Sequence, residues 1–366
     1  MEEESTKFMF HFDRHFPIND VGEIGQRLAA SDALIPGWIP PAVGPFDIRA
    51  VAVDQQLHGW STTILPDRNI VSRMARVARE GIVSKRDHPM NIAILLMAFA
   101  QAVDFEIEPG LAFHELAQRE TNRAAQEELC WFRTADKGGM AQSWIDLAVG
   151  RCSGIALGDA APVENIDLST PIRRWCRNYV AALKIAELEL LPIRPLEKLM
   201  ALLNWMTHEF FLASPALFFA ARYWAPSLRR AGLVKHIRAP NRDRALAGAR
   251  NAAWDITYLS EFVRRIAIGL SNEQRVILAT GDRLLAEVAP ILLLGPEAQE
   301  GRPSVEEVMR VWWSDSSASR FCAAFFDAVQ FAERNDVDDH TIAERVSNLT
   351  IKGEESLRMW LPKRQS

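Results

Sequence analysis

Cysteine is scarce in this sequence. There are four in 366 residues (Cys130, Cys152, Cys176 and Cys322), and no two form a C-x-x-C pair. That excludes a disulfide scaffold, a zinc ribbon and a thioredoxin-type redox site. It also makes a reducing, cytoplasmic location the expectation. Long apolar runs are missing as well. The longest, at residues 92–103, 210–221 and 288–294, fall short of the roughly 18–20 residues that span a bilayer. No membrane partner is therefore expected, and the leading Met-Glu-Glu-Glu lacks the basic start and apolar stretch of a secretory signal. No His-Glu-x-x-His spacing, Gly-x-Gly-x-x-Gly turn, Gly-Lys-Ser/Thr phosphate loop or Gly-x-Ser-x-Gly elbow occurs. Zinc proteases, nucleotide-fold enzymes of those types and α/β-hydrolases lose their support. One-sided charge is lacking too: a formal net charge of −5 excludes a wholly basic nucleic-acid coat but leaves room for a local basic face.

What is present is an ordinary globular mixture, 48% apolar and 24% charged, long enough for two or three domains. Residues 1–50 read as an irregular N-terminal extension punctuated by Ile35-Pro-Gly-Trp-Ile-Pro-Pro. Phe46-Asp-Ile-Arg-Ala-Val-Ala-Val alternates like a strand. Ser61-Thr-Thr-Ile-Leu is rich in β-branched residues and reads as a strand ending at Asp67, with a helix over 70–80 behind it. Residues 90–103 form a buried helix, another helix begins near Leu111, and 131–239 are largely helical. The clearest helix covers 243–268, where Ala245, Ala249, Ala252, Ile256, Leu259, Val263 and Ile266 recur three or four apart. Arg275-Val-Ile-Leu-Ala-Thr follows as a buried, parallel-type strand, and Pro290-Ile-Leu-Leu-Leu-Gly as a further strand. Amphipathic helices fill the rest. The pattern predicts an α/β domain from 51–130 and 240–296, an all-helical insertion at 131–239 and a helical C-terminal region at 297–366.

Two of these strands run out into aspartates, at Leu65-Pro66-Asp67 and Thr280-Gly281-Asp282. Ligands of open parallel sheets sit at such carboxyl ends. Two carboxylates there repel one another unless a cation joins them, although Asp is also an ordinary turn residue or helix N-cap. A third acid, Asp255, falls on the core-facing stripe of its helix, beside Phe262 and Ile266 on the helical wheel. A carboxylate there requires a partner, either a cation or an arginine such as Arg250. Glu115 lies at the edge of the apolar side of its own helix, where a solvated role is equally natural.

These four acids, in this order, resemble the site of the PIN-domain nucleases. Asp67-Arg-Asn69 is similar to the opening Asp-x-Asn of that family. Phe113-His-Glu115 is similar to its helix-borne glutamate, and Asn251-Ala-Ala-Trp-Asp255 to its third acid. Val276-Ile-Leu-Ala-Thr280-Gly-Asp282 is similar to its closing strand and Thr-x-Asp. The resemblance implies a PIN-like, mainly parallel sheet flanked by helices, carrying a large all-helical insertion and a helical C-terminal tail. The 140-residue gap between Glu115 and Asp255 requires such an insertion. It further implies Mg²⁺ or Mn²⁺ bound by Asp67, Glu115, Asp255 and Asp282, with Asn69 and Thr280 supporting the ligands. The implied activity is phosphodiester cleavage, most readily of RNA, with DNA not excluded.

A charge asymmetry adds to this. From Arg222 to Arg250 eight basic residues stand against Asp243 alone, so Arg242, Arg244 and Arg250 become candidate nucleic-acid contacts. The alternative is an inactive PIN-like scaffold that binds RNA or a protein partner. The pairs Trp312-Trp313 and Phe325-Phe326 read as core anchors; an exposed tail carrying the two tryptophans would suit a homodimer or a regulatory partner.

Overall fold

The computed structural model describes residues 13–37, 39, 44–83, 86–228, 236–299, 302–334 and 339–361. The chain divides into two compact units, one formed by 1–168 with 265–281, the other by 169–264 with 282–366.

The first unit carries helices α1 (Ile18–Ala29), α2 (Ile48–His58), α3 (Arg68–Glu80), α4 (His88–Ala102), α5 (Gly110–Arg119), α6 (Asn122–Ala135) and α7 (Ala141–Ala148). Its sheet contains β1 (Leu34–Pro36), β2 (Ser61–Pro66), β3 (Glu106–Ile107) and β4 (Gln274–Ala279) in the spatial order β1-β4-β2-β3. Strands β2, β3 and β4 run parallel, and β1 closes one edge antiparallel to β4. Thr62, Thr63, Ile64, Leu65 and Val276 through Ala279 are buried, the continuous burial expected of inner parallel strands. Helices α1, α3 and α7 pack on the almost wholly apolar α4, and α6 packs on α3. Gly25 lets α1 approach the chain before α2: a Cβ there would stand 2.1 Å from the Phe46 carbonyl oxygen.

The register positions the site. Strands β2 and β4 pair from Ser61↔Gln274 to Pro66↔Ala279, so both end at the same level. Asp67 N–H donates to the Ala279 carbonyl at 2.7 Å, and Thr280 N–H donates to the Ala33 carbonyl at 2.8 Å. Asp67 and Thr280 therefore leave the sheet side by side, at the carboxyl edge.

The second unit is helical: α8 (Arg173–Leu190), α9 (Pro195–His208), α10 (Ser214–Tyr223), α11 (Arg242–Gly269, its final turn counted with the first unit), α12 (Arg283–Val288), α13 (Val305–Trp312), α14 (Asp315–Arg334) and α15 (Asp339–Met359). Helix α15 packs on α8, α14 on α9 and α12 on α10. Trp224, Phe218, Phe219 and Phe321 are among its fully buried side chains. A buried polar knot lies among them. Glu189 Oε2 accepts from Lys198 Nζ at 2.8 Å and from Trp224 Nε1 at 3.0 Å, while Oε1 accepts from Arg238 at 3.1 Å. With charge and hydrogen bonds both matched, this carboxylate can remain in the interior.

Several expectations need correction. The segment from Phe46 is helix α2, because Asp47 accepts from the Arg49 and Ala50 N–H groups and Ile48, Val51 and Ala52 are buried at helical spacing. The 1–50 extension contains α1 and β1 and belongs to the first unit, although Trp38, Pro40 and Pro41 lie outside the described residues. The run from Pro290 is a 3₁₀ turn over Ala289–Leu293, with proline at its start, not a strand. The divisions at 130 and 240 also shift. Residues 131–168 pack with the sheet unit, and 242–264 with the helical unit and the C-terminal helices. Trp312 and Trp313 are buried. Trp313 Nε1 donates to the Ala221 carbonyl and Arg222 lies over the Trp312 ring, so they offer no exposed pair for a dimer.

Candidate functional site

Asp67 is 3% exposed and is the hub of the carboxyl edge. As N-cap of α3, its Oδ1 accepts from Ile70 N–H at 2.9 Å. Its Oδ2 accepts from Thr280 Oγ1–H at 2.6 Å and from Gly281 N–H at 3.0 Å. Three donors to one buried carboxylate lock its rotamer. Thr280 is itself buried, at 1% exposure. A Cβ on Gly281 would meet Pro89 Cγ at 3.2 Å and Asn69 Cβ at 3.8 Å. The turn after β4 thus lies against the N-terminal ends of both α3 and α4, and the exposed Asn69 side chain borders it.

Asp282 is the next residue in the chain. It is half-buried and caps α12 by accepting from Leu284 N–H at 2.8 Å. Both strand-end aspartates are therefore helix N-caps as well as candidate ligands. Glu115 on α5 is 6% exposed, and its Oε1 accepts from Arg119 Nη1 at 2.9 Å. It is buried rather than solvated. Asp255 lies in the second unit, half-buried on α11 between the buried Trp254 and Ile256. The suggested partner Arg250 instead reaches Glu354 at 3.4 Å.

Among the described residues no group of three or more His, Cys, Asp or Glu could by itself hold a metal ion. The donor chemistry at the sheet edge still suits a hard cation, since carboxylate oxygens fit Mg²⁺ and Mn²⁺. Mg²⁺ in particular commonly takes one or two protein carboxylates and keeps several waters. Asp67 supplies one such carboxylate at the sheet edge.

The expected basic face is largely consumed internally. Arg242 donates to the carbonyls of Ile237, Ala239 and Leu357 and lies 4.9 Å from the Trp360 ring centroid, which makes it a clasp for the end of α15. Arg222 pairs with Glu287, Arg238 with Glu189 and Arg250 with Glu354. Arg244 is exposed, and Arg229, Arg230 and Lys235 lie outside the described residues.

Sequence reasoning overlooked a different basic cluster. Arg173, Arg174 and Arg177 open α8, and with Arg264 they line a cavity in the second unit. The signal was available: three arginines begin a helix whose amino end is already positive.

No protein-family model, no curated protein and no solved structure matches this chain. Among the described residues no helix is long and apolar enough to cross a membrane.

Proposed function

We propose that this chain is a metal-dependent phosphodiesterase of the PIN-like type, an endoribonuclease acting at the carboxyl edge of its sheet. The observation that carries the reading is the junction of β2 and β4. Thr280 and Gly281 donate to the buried Asp67 carboxylate, and Asp282 follows one residue later. Asp67 and Asp282 would hold Mg²⁺ or Mn²⁺, and the resemblance adds Glu115 and Asp255 as the remaining acids. When bound, the ion supplies Lewis acidity and lowers the pKa of its water. The chain's own contribution is positional. Thr280 and the Gly281 N–H fix the direction of Asp67. Asn69 borders the same turn, and the amino ends of α3 and α4 present a favourable field to a phosphate. Glu115 takes part only by exchanging Arg119 for the ion or its water.

One set of observations favours the scaffold reading instead. Asp67 and Asp282 cap helices and Glu115 is ion-paired, so each has a structural role without a metal.

Cleavage of mixed single-stranded and structured RNA separates the two. The nuclease reading expects cutting in Mn²⁺ or Mg²⁺ that stops in EDTA and in Asp282→Asn. Asparagine keeps the helix cap, so the variant folds while losing the ligand charge. RNA binding that is unchanged by EDTA, with no cutting under any metal, supports the scaffold and overturns the nuclease.

A further inference from the structure

A cavity of about 470 Å³ lies within the second unit. Among its described lining residues four are arginines (Arg173, Arg174, Arg177 and Arg264) and none is acidic; Asn178, Ser214 and Ser260 add polar groups and Phe211 an aromatic face. We propose that this cavity binds a phosphate monoester of nucleotide size, with the arginines on the phosphate and Phe211 against the apolar or aromatic remainder.

Three observations converge on an anion. First, the positive charge is crowded. Arg174 and Arg264 share a single carboxylate, Glu261, and Arg174 also donates to Ser260 Oγ at 3.2 Å. Burial, together with the Arg264 and Arg177 charges, holds the Arg174 guanidinium below its usual range. Second, the arginines stand at the wrong end of their helix. Residues 173, 174 and 177 occupy the opening of α8, whose first turn carries no acid and no side-chain cap. A cation there opposes the helix dipole, and an anion relieves both repulsions at once. Third, the first turn of α10 lines the same cavity through Ser214 and Pro215, again without a side-chain cap. Two helix amino ends and a guanidinium cluster form a recognised phosphate environment.

Size and shape specify the ligand further. The volume falls within the usual range of small-molecule pockets, roughly 300–1,000 Å³, and is far larger than inorganic phosphate requires. The Arg177 guanidinium lies 5.8 Å from the Phe211 ring centroid. Charge-binding and ring-binding elements are therefore adjacent, as a nucleoside monophosphate would need.

The test is calorimetric titration of the full chain with adenosine 5′-monophosphate, adenosine, inorganic phosphate and a short 5′-hydroxyl oligonucleotide. The expected result is binding of the monophosphate that weakens with added salt, weaker binding of phosphate, and none of adenosine. Arg177→Gln and Arg173→Gln should each weaken monophosphate binding about tenfold or more, by loss of a charge-assisted contact. Using both guards against either one failing to fold, while Arg123→Gln, at an exposed position of α6, should leave binding unchanged. No binding of the monophosphate at millimolar concentration, or equal binding by both variants and wild type, overturns the proposal. Tighter binding of the oligonucleotide than of the monophosphate overturns it in favour of a strand's phosphodiesters.

Discussion

At the residue scale, the two strand-end aspartates look alike in sequence but should respond differently to substitution. Asp67 takes donors from Ile70, Thr280 and Gly281 in a buried setting. Replacing it with asparagine turns one acceptor into a donor that faces another donor, at a cost of about 1–3 kcal/mol. Asp282 is half-buried and caps α12 through one N–H, so Asp282→Asn should stay within about 0.5 kcal/mol of wild type. Urea unfolding of both variants checks the contrast, and comparable losses would contradict it. Asp136 offers a pH test in the same unit. Burial, aided by the Glu106 charge and opposed by Arg133, raises its pKa from 3.8 to about 6. The native state therefore holds this proton more tightly than the unfolded chain, and stability falls as pH rises between those two values. Asp136→Asn removes that penalty. It should stabilise the protein by roughly 1–2 kcal/mol at pH 7.5 after screening is allowed for. The gain should close as pH falls through 6 towards 4. An equal gain at pH 7.5 and 4.5 would show that burial of the ionised group is not the cause.

At the element scale, sequence signal followed length and periodicity. Strands β2 and β4 are six residues each and α11 is 28. All three were legible because each is encoded in contiguous residues, whereas the meeting of Asp67 with the Thr280 turn, 213 residues apart, was implied only by the family resemblance. Strands β1 and β3, of three and two residues, are too short to show a period, and they exist because β4 and β2 offer them edges. Helix α2 was misread because Phe46, Ile48, Ala50 and Ala52 alternate as well as a strand would. The Asp47 cap and the burial of Ile48 and Val51 decide otherwise. Asp47→Ala should accordingly cost about 1 kcal/mol and accelerate amide exchange in the first turn of α2. Unchanged exchange there would remove the cap as the explanation. The role of Arg242 was illegible for another reason: its partners Leu357 and Trp360 lie more than a hundred residues away.

At the scale of the whole molecule, the chain's two units were not separable by sequence, since each is assembled from distant segments. Helix α15 shows how the helical unit depends on one of them. Gly353 packs at Leu183, and Glu354 accepts from Tyr179 and Arg250. Deleting residues 339–366 should speed amide exchange in α8 while β2 and β4 keep their protection; loss of protection in the strands would contradict that division. The central claim concerns the sheet edge, and it is tested most directly by Mn²⁺ titration calorimetry on wild type beside Asp282→Asn. Saturable binding by wild type that is lost in the folded variant is the expected result. No binding by wild type, or the same binding by both proteins, would contradict a metal site at Asp67 and Asp282.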